Sequence, residues 1–205
     1  MPSATITTSD GEVLEAELVV PAFPSVAVAI THPNPLMGGD MHTPVPASMF
    51  RACSNLNAAT LRFNFRSVGK STGTHDKGQA EQLDLAAAID LLAEAAPEIP
   101  LLLAGWSFGA DVALTSSDER VAGWFLAAPP LRVVDPTTMA AQSSASPKVL
   151  AVGEKDQFAP PAAVAEITSC WNATTVQVID GSDHFFGAQM PQLIAGFTAF
   201  VTAHS

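Results

Sequence analysis

The chain has 205 residues, long enough for a substantial core, and 48% of them are apolar while only 14% are charged, which excludes an intrinsically disordered protein. Nine Lys and Arg residues against 20 Asp and Glu residues give a net charge of −11, which argues against a nucleic-acid partner because phosphate binding needs clustered cations. No basic segment followed by an apolar run opens the chain, and no apolar stretch approaches the ~18 residues of a membrane span. We therefore expect a cytoplasmic protein with no membrane partner.

Short β-rich runs alternate with helix-like segments along the chain. Seven segments are predicted as strands, at residues 12–20, 25–31, 59–65, 99–105, 120–129, 147–153 and 174–180. Four segments are predicted as helices, at residues 79–95, 108–116, 160–169 and 190–203. Apolar strands separated by helices are typical of a parallel sheet covered on both faces. We predict a single α/β domain over residues 1–205, with a mostly parallel sheet of seven or eight strands.

A possible nucleophile follows the strand at 99–105. The residues Gly105-Trp106-Ser107-Phe108-Gly109 match the pattern Gly-x-Ser-x-Gly between a predicted strand and a predicted helix. This pattern is typical of a sharp, strained turn that exposes the serine hydroxyl and needs small neighbours. The alternative is a hydroxyl that only caps the following helix. The strand–turn–helix context favours a catalytic Ser107.

A serine hydroxyl needs a base, and the base needs an acid that orients it. His184 comes just after the last predicted strand, and Asp156 comes just after the strand before it. The order Ser107, Asp156, His184 is the nucleophile–acid–base order of α/β-hydrolases. Asp183 and Asp135 are alternative acids. We predict that Ser107, Asp156 and His184 form a catalytic triad.

Acyl transfer also needs two N–H donors for the tetrahedral oxygen. The backbone N–H of Phe108, directly after the nucleophile, is the first candidate. The second is expected in the loop after the strand at 25–31, where prolines at 33 and 35 have no N–H. Asn34 and Leu36 are the nearest possible donors, and we select Asn34. The sequence thus predicts an oxyanion hole made by the backbone N–H groups of Asn34 and Phe108.

Five motifs together resemble the small, capless α/β-hydrolases that are grouped with dienelactone-hydrolase-like and serine-aminopeptidase-like proteins. They are HPNPLMGGDM (32–41), LRFNFRSVGKSTG (61–73), AGWSFGA (104–110), GEKD (153–156) and DHFF (183–186). The family typically has His-Pro-His-Pro in the first motif and Phe-Arg-Gly-x-Gly in the second, where this chain has Asn34 and Ser67. Dienelactone hydrolases proper use a cysteine nucleophile, from which Ser107 departs. The resemblance implies an α/β-hydrolase fold and hydrolysis of an ester or related acyl bond.

The connection at 128–147 is too short for a large helical cap, so we predict a minimal cap or none, and an open site for short acyl esters. Four residues could line its entrance or belong to the core, namely Trp106, Phe108, Leu131 and Phe158. The predicted partner is a small acyl substrate, and no cofactor or metal is expected. The alternative function is a non-catalytic module that binds a small molecule or a partner protein. The sequence assigns no role to Asp111 and leaves the oligomeric state open.

Overall fold

An eight-stranded sheet forms the centre of the protein in the computed structural model, which describes residues 3–205. The strands are β1 (Ser3–Thr7), β2 (Val13–Val19), β3 (Val26–Thr31), β4 (Ala58–Phe63), β5 (Leu101–Trp106), β6 (Val121–Ala127), β7 (Lys148–Gly153) and β8 (Thr174–Ile179). Every residue of β3, β4 and β5 is buried, as expected for strands covered on both faces. Their apolar sequences therefore explain their central place.

The strand order is β1-β2-β4-β3-β5-β6-β7-β8. Only β2 runs antiparallel to its neighbours β1 and β4, and all other pairs are parallel. From β3 the chain continues to β4 on one side and later to β5 on the other. In open α/β sheets such a reversal leaves a crevice beyond the carboxyl ends of the two strands. Here it lies at the ends of β3 and β5.

Within the described residues 3–205, five helices surround the sheet, namely α1 (Pro44–Cys53), α2 (Glu81–Ala95), α3 (Phe108–Leu114), α4 (Pro161–Ile167) and α5 (Met190–Thr202). Helix α1 packs against α5, and α2 packs against α3, so helices cover both faces of the sheet. Large buried side chains such as Phe63, Trp124, Phe125 and Phe197 fill the layers between. The predicted fold class, a mostly parallel sheet with helices on both faces, is confirmed. No helix within residues 3–205 combines the length and the apolar character needed to cross a membrane.

Two elements were not predicted. Strand β1 is an edge strand whose residues SATIT are mostly polar and partly exposed, so it lacks the apolar signal of the inner strands. Helix α1 begins with Pro44 and contains Pro46, which obscure a buried face that includes Val45, Met49 and Phe50. Proline is compatible with the first helical turn because the N–H groups there have no intrahelical acceptor.

The connection after β6 contains only two short 3-10 turns, at Pro136–Thr138 and Ala140–Ser143. Neither is long enough to cover the carboxyl end of the sheet. The prediction of a minimal cap or none is confirmed.

Candidate active site

Ser107 lies on the turn between β5 and α3, with φ 54° and ψ −119°. A positive φ is costly for a residue with a side chain, by about 1–3 kcal/mol, and persists only where the surroundings enforce it. The Ser107 N–H donates to Ala127 O at 2.9 Å, which fixes the turn to the end of β6. The turn therefore holds the hydroxyl in one orientation, as the Gly-x-Ser-x-Gly pattern predicts.

The two glycines of the pattern allow close packing against β3. A Cβ at Gly105 would collide with the Thr31 hydroxyl, and one at Gly109 would collide with His32 O. The Thr31 hydroxyl lies within hydrogen-bond distance of Gly109 O (2.9 Å) and Ala104 O (3.2 Å). Small residues are thus required on both sides of Ser107 so that α3 can approach the neighbouring strand.

The structure brings together the three residues predicted as a triad. His184 Nε2 lies 3.0 Å from Ser107 Oγ, and His184 Nδ1 lies 2.8 Å from Asp156 Oδ2. The Trp106 indole N–H donates to His184 O at 3.0 Å, and the Phe158 ring lies against the imidazole with a centroid distance of 4.9 Å. Only 7% of His184 is exposed. The imidazole is therefore held between the hydroxyl and the carboxylate.

Asp156 stays ionised in this arrangement. Burial raises the pKa of its carboxyl, but the hydrogen bonds from His184 and from the backbone N–H groups of Phe158 and Ala159 outweigh burial, and the net pKa is lowered. Both N–H groups donate to Oδ1 at 2.8 Å, which leaves Oδ2 for the imidazole. An ionised Asp156 accepts the Nδ1–H of His184 and so leaves Nε2 as the acceptor that faces Ser107.

The two alternative acids have other partners. Asp183 Oδ1 accepts the N–H of Phe185 at 3.0 Å. Asp135 is exposed and caps a 3-10 turn by accepting the N–H of Thr137 at 2.9 Å. Neither carboxylate contacts the imidazole, so the geometry favours Asp156 as the orienting acid.

Both predicted oxyanion donors lie in the same cavity as Ser107. Phe108 is the first residue of α3, where N–H groups have no intrahelical acceptor. The Leu36 N–H, the other candidate, donates to Asn34 Oδ1 at 2.9 Å, whereas the Asn34 N–H makes no hydrogen bond to any residue in 3–205. The geometry therefore favours Asn34 over Leu36 as the second donor.

The His32 side chain holds the loop after β3, which carries Asn34, through two hydrogen bonds. It is fully buried, its Nδ1 lies 2.7 Å from Pro33 O, and its Nε2 accepts the Phe65 N–H at 2.9 Å. Burial lowers the pKa of His32 to about 4, so the ring is neutral at pH 7 and donates from Nδ1. The ring thus ties the loop after β3 to the segment after β4. This role was not predicted, although a histidine directly after a mostly apolar strand was a usable signal.

Ser67 stands where the resembling family has glycine, and it adopts a φ of 69°. The Ser67 N–H donates to Thr72 O at 3.1 Å. The preceding Arg66 is buried and pairs with Asp84 at 2.7 Å and with Asp10 at 2.9 Å. These contacts hold the left-handed turn although a side chain replaces hydrogen at position 67.

The cavity at the carboxyl ends of β3 and β5 has a volume of about 250 Å³. Trp106, Phe108 and Phe158 line it, and Phe158 is the exposed one of the three, whereas Leu131 does not line it and is buried in the core. Met37 and Phe185 are further lining residues, and they are largely exposed. The entrance is therefore open and apolar on the side of the loops that carry these residues.

Asp111 has a clear structural role. It is fully buried in α3, and its carboxylate accepts the backbone N–H groups of Leu131, Arg132 and Val133 at 2.9–3.0 Å. Burial raises the pKa of Asp111 to about 6, although these hydrogen bonds lower it. Asp111 thus holds the loop after β6 against the nucleophile helix. One signal was present in the sequence, because an acid within an apolar helix must find hydrogen-bond donors.

No group of three or more His, Cys, Asp or Glu side chains within residues 3–205 is arranged to hold a metal ion. The residues around Ser107 supply a nucleophile, a base, an acid and free N–H groups. This set can carry out acyl transfer.

Two solved structures are similar to the chain over nearly its whole length. A serine hydrolase homologue from Coxiella burnetii is 30% identical with a TM-score of 0.87, and the alignment covers 98% of this chain and 97% of the other. A serine hydrolase without a lid from Xanthomonas campestris is 29% identical with a TM-score of 0.88, covering 98% and 94% of the two chains. An uncharacterized protein of Rickettsia prowazekii is 27% identical in an alignment over 197 residues that covers 91% of this chain and 82% of that protein.

The family model described as an alpha/beta hydrolase domain matches residues 30–193. This range runs from the end of β3 into α5 and includes Ser107, Asp156 and His184. The resemblance expected from the five motifs is confirmed, and the chain belongs to the alpha/beta hydrolase family.

Proposed function

We propose that the protein is a serine hydrolase that cleaves small acyl esters through an acyl-enzyme intermediate. The observation that carries this proposal is the unbroken hydrogen-bond chain from Ser107 Oγ through the His184 ring to Asp156. The relatives from Coxiella burnetii and Xanthomonas campestris, which are described as serine hydrolases, support the same chemistry.

In the first half of the reaction, Ser107 Oγ attacks the ester carbonyl while His184 Nε2 takes up the hydroxyl proton. The ionised Asp156 stabilises the imidazolium that forms. Negative charge develops on the carbonyl oxygen, and the N–H groups of Phe108 and Asn34 are the donors for it. The imidazolium then protonates the leaving alcohol, and the acyl group stays on Ser107.

In the second half, water enters the cavity and His184 removes its proton. The resulting hydroxide attacks the acyl-enzyme, and the same N–H groups bind the second oxyanion. Collapse of this intermediate returns the proton to Ser107 and releases the acid. The open entrance and the cavity of about 250 Å³ favour short acyl chains.

Hydrolysis of 4-nitrophenyl esters from acetate to octanoate tests the proposal. We expect the wild type to prefer the short esters, and Ser107→Ala and His184→Ala to lose about 10³-fold or more in kcat. His42→Ala is the matched control, because His42 has an exposed side chain and does not line the cavity. A fluorophosphonate should label the wild type and not Ser107→Ala. Equal ester rates in all variants, with no labelling of the folded wild type, would contradict the proposal and favour a binding module.

A further inference from the structure

The cavity around Ser107 has a charge character opposite to that of the whole chain. The chain has a net charge of −11, yet no Asp or Glu is found among the described residues that line the cavity. Arg132 is the only Lys or Arg among them. A residue with a permanent positive charge therefore borders the cavity of Ser107 on a chain whose net charge is −11.

The Arg132 side chain has no hydrogen-bond partner and no ion-pair partner within residues 3–205. Its charge slightly lowers the pKa of Asp111, but that carboxylate is buried and already accepts three backbone N–H groups. By contrast, the buried Arg62 and Arg66 both pair with carboxylates. Arg132 is an exposed residue, so its guanidinium donors are available to a group outside the protein.

The backbone that carries Arg132 is fixed relative to the nucleophile. The Arg132 N–H donates to Asp111 Oδ2 at 2.9 Å, and the Asp111 N–H donates to Ser107 O at 3.2 Å. Two hydrogen bonds therefore connect the loop after β6 to the turn that carries Ser107. The backbone of Arg132 therefore has a fixed position relative to Ser107.

We propose that Arg132 selects acyl esters that carry a carboxylate in addition to the scissile ester. This inference rests on the proposed function of Ser107 as a nucleophile. A guanidinium matches the planar geometry of a carboxylate and binds it through two parallel N–H donors. Met37, Phe158 and Phe185 provide the apolar surface for the remainder of such a substrate.

The test compares esters with and without a carboxylate. One pair is mono-4-nitrophenyl adipate and 4-nitrophenyl hexanoate, with the carboxylate on the acyl side. The other pair is 4-acetoxybenzoate and its methyl ester, with the carboxylate on the leaving group. The measured quantity is the kcat/KM for the ester with the carboxylate divided by the kcat/KM for its uncharged partner. A general loss of activity affects both values equally and does not change this ratio.

Arg132→Gln should lower this ratio about tenfold in at least one pair, as expected for loss of a charge-assisted hydrogen bond at an exposed site. Arg51→Gln is the matched control, since Arg51 is an exposed arginine that does not line the cavity. It changes the net charge equally and should leave the ratios at the wild-type values. Ratios in Arg132→Gln equal to those in Arg51→Gln for both pairs would overturn the inference.

Binding to a variant that cannot turn over separates the two proposals. Calorimetry should show that Ser107→Ala binds the carboxylate ester of the pair whose ratio falls in Arg132→Gln about tenfold more tightly than the double variant Ser107→Ala/Arg132→Gln does. Equal affinities would overturn the role of Arg132. Failure of the wild type to hydrolyse any ester or to react with a fluorophosphonate would instead overturn the role of Ser107, whatever the affinities are.

Discussion

Two loops at the same edge of the sheet are each held by a buried aspartate, but the pKa values of the two carboxyl groups shift in opposite directions. After β7, Asp156 accepts two backbone N–H groups and the His184 ring, and its pKa is lowered. In α3, Asp111 accepts three backbone N–H groups from the loop after β6, and burial raises its pKa to about 6.

The two carboxylates differ in their hydrogen-bond partners, because Asp156 contacts an imidazole, whereas within residues 3–205 Asp111 contacts only backbone amides. An imidazole can become a cation during the reaction, whereas backbone amides cannot. A carboxylate beside the imidazole can therefore stabilise a charge that changes, while one among amides can only hold a fixed shape. On this basis we propose that Asp156 serves the reacting groups, whereas Asp111 holds the loop that borders them.

The largest expected effect comes from Asp156→Asn. The amide retains the size of the side chain but no longer stabilises the protonated imidazole, so kcat on 4-nitrophenyl acetate should fall about 10³- to 10⁴-fold. Asp183→Asn is the matched control, and its kcat should fall far less. A larger loss in Asp183→Asn than in Asp156→Asn would show that the acid was assigned to the wrong residue.

Asp111→Asn should give a smaller effect of a different kind. An amide cannot accept all three N–H groups, because its own NH₂ faces one of them, so the free energy of unfolding should decrease by about 1–3 kcal/mol. The loss of kcat should be much smaller than in Asp156→Asn. Urea unfolding measures the first quantity, with exposed Asp135→Asn as the control on the same loop. A wild-type unfolding midpoint for Asp111→Asn would contradict the structural role of the carboxylate.

The smallest effect is a change in the pH dependence of stability. The pKa of Asp111 is raised to about 6, so the folded state binds this proton more readily, and its contribution to the free energy of unfolding falls as pH rises from about 4 to 6. The contribution of His32 to the free energy of unfolding changes with pH in the opposite direction. Its pKa is lowered to about 4, so its contribution rises with pH from about 4 to 6.5.

These two contributions oppose each other in the wild type. In Asp111→Asn the opposing contribution of Asp111 is lost while that of His32 remains, so the free energy of unfolding should rise more steeply with pH than in the wild type, by up to about 1.4 kcal/mol per pH unit. Urea unfolding at intervals between pH 4.5 and 6.5 measures this difference, since the other groups titrate equally in both proteins. Parallel pH curves would show that the Asp111 carboxyl is not titrating in this range.

Sequence patterns were sufficient for the inner strands because burial on both faces requires continuous apolar residues, as in β3 and β5. They were also sufficient for the positions of Ser107, Asp156 and His184, since carboxyl ends of parallel strands meet at one edge. Partly exposed β1 and proline-rich α1 carry weaker signals and were missed.

The supporting contacts could not be predicted because their partners are backbone groups distant in sequence. Asp111 binds N–H groups 20–22 residues away, and the His32 ring accepts an N–H 33 residues away. The placement of Arg132 at the cavity depends on that same Asp111 contact. Such pairings follow from the folded loop and not from residue type.

The absence of a cap, described above for the connection after β6, has a kinetic consequence. Lid opening or closure limits turnover in many enzymes. With only two short 3-10 turns in that connection, this protein has no large element there that must move before substrate enters or product leaves. We expect turnover to be limited by bond making and breaking, with a kcat/KM that responds to the leaving-group pKa and a kcat that hardly responds to solvent viscosity.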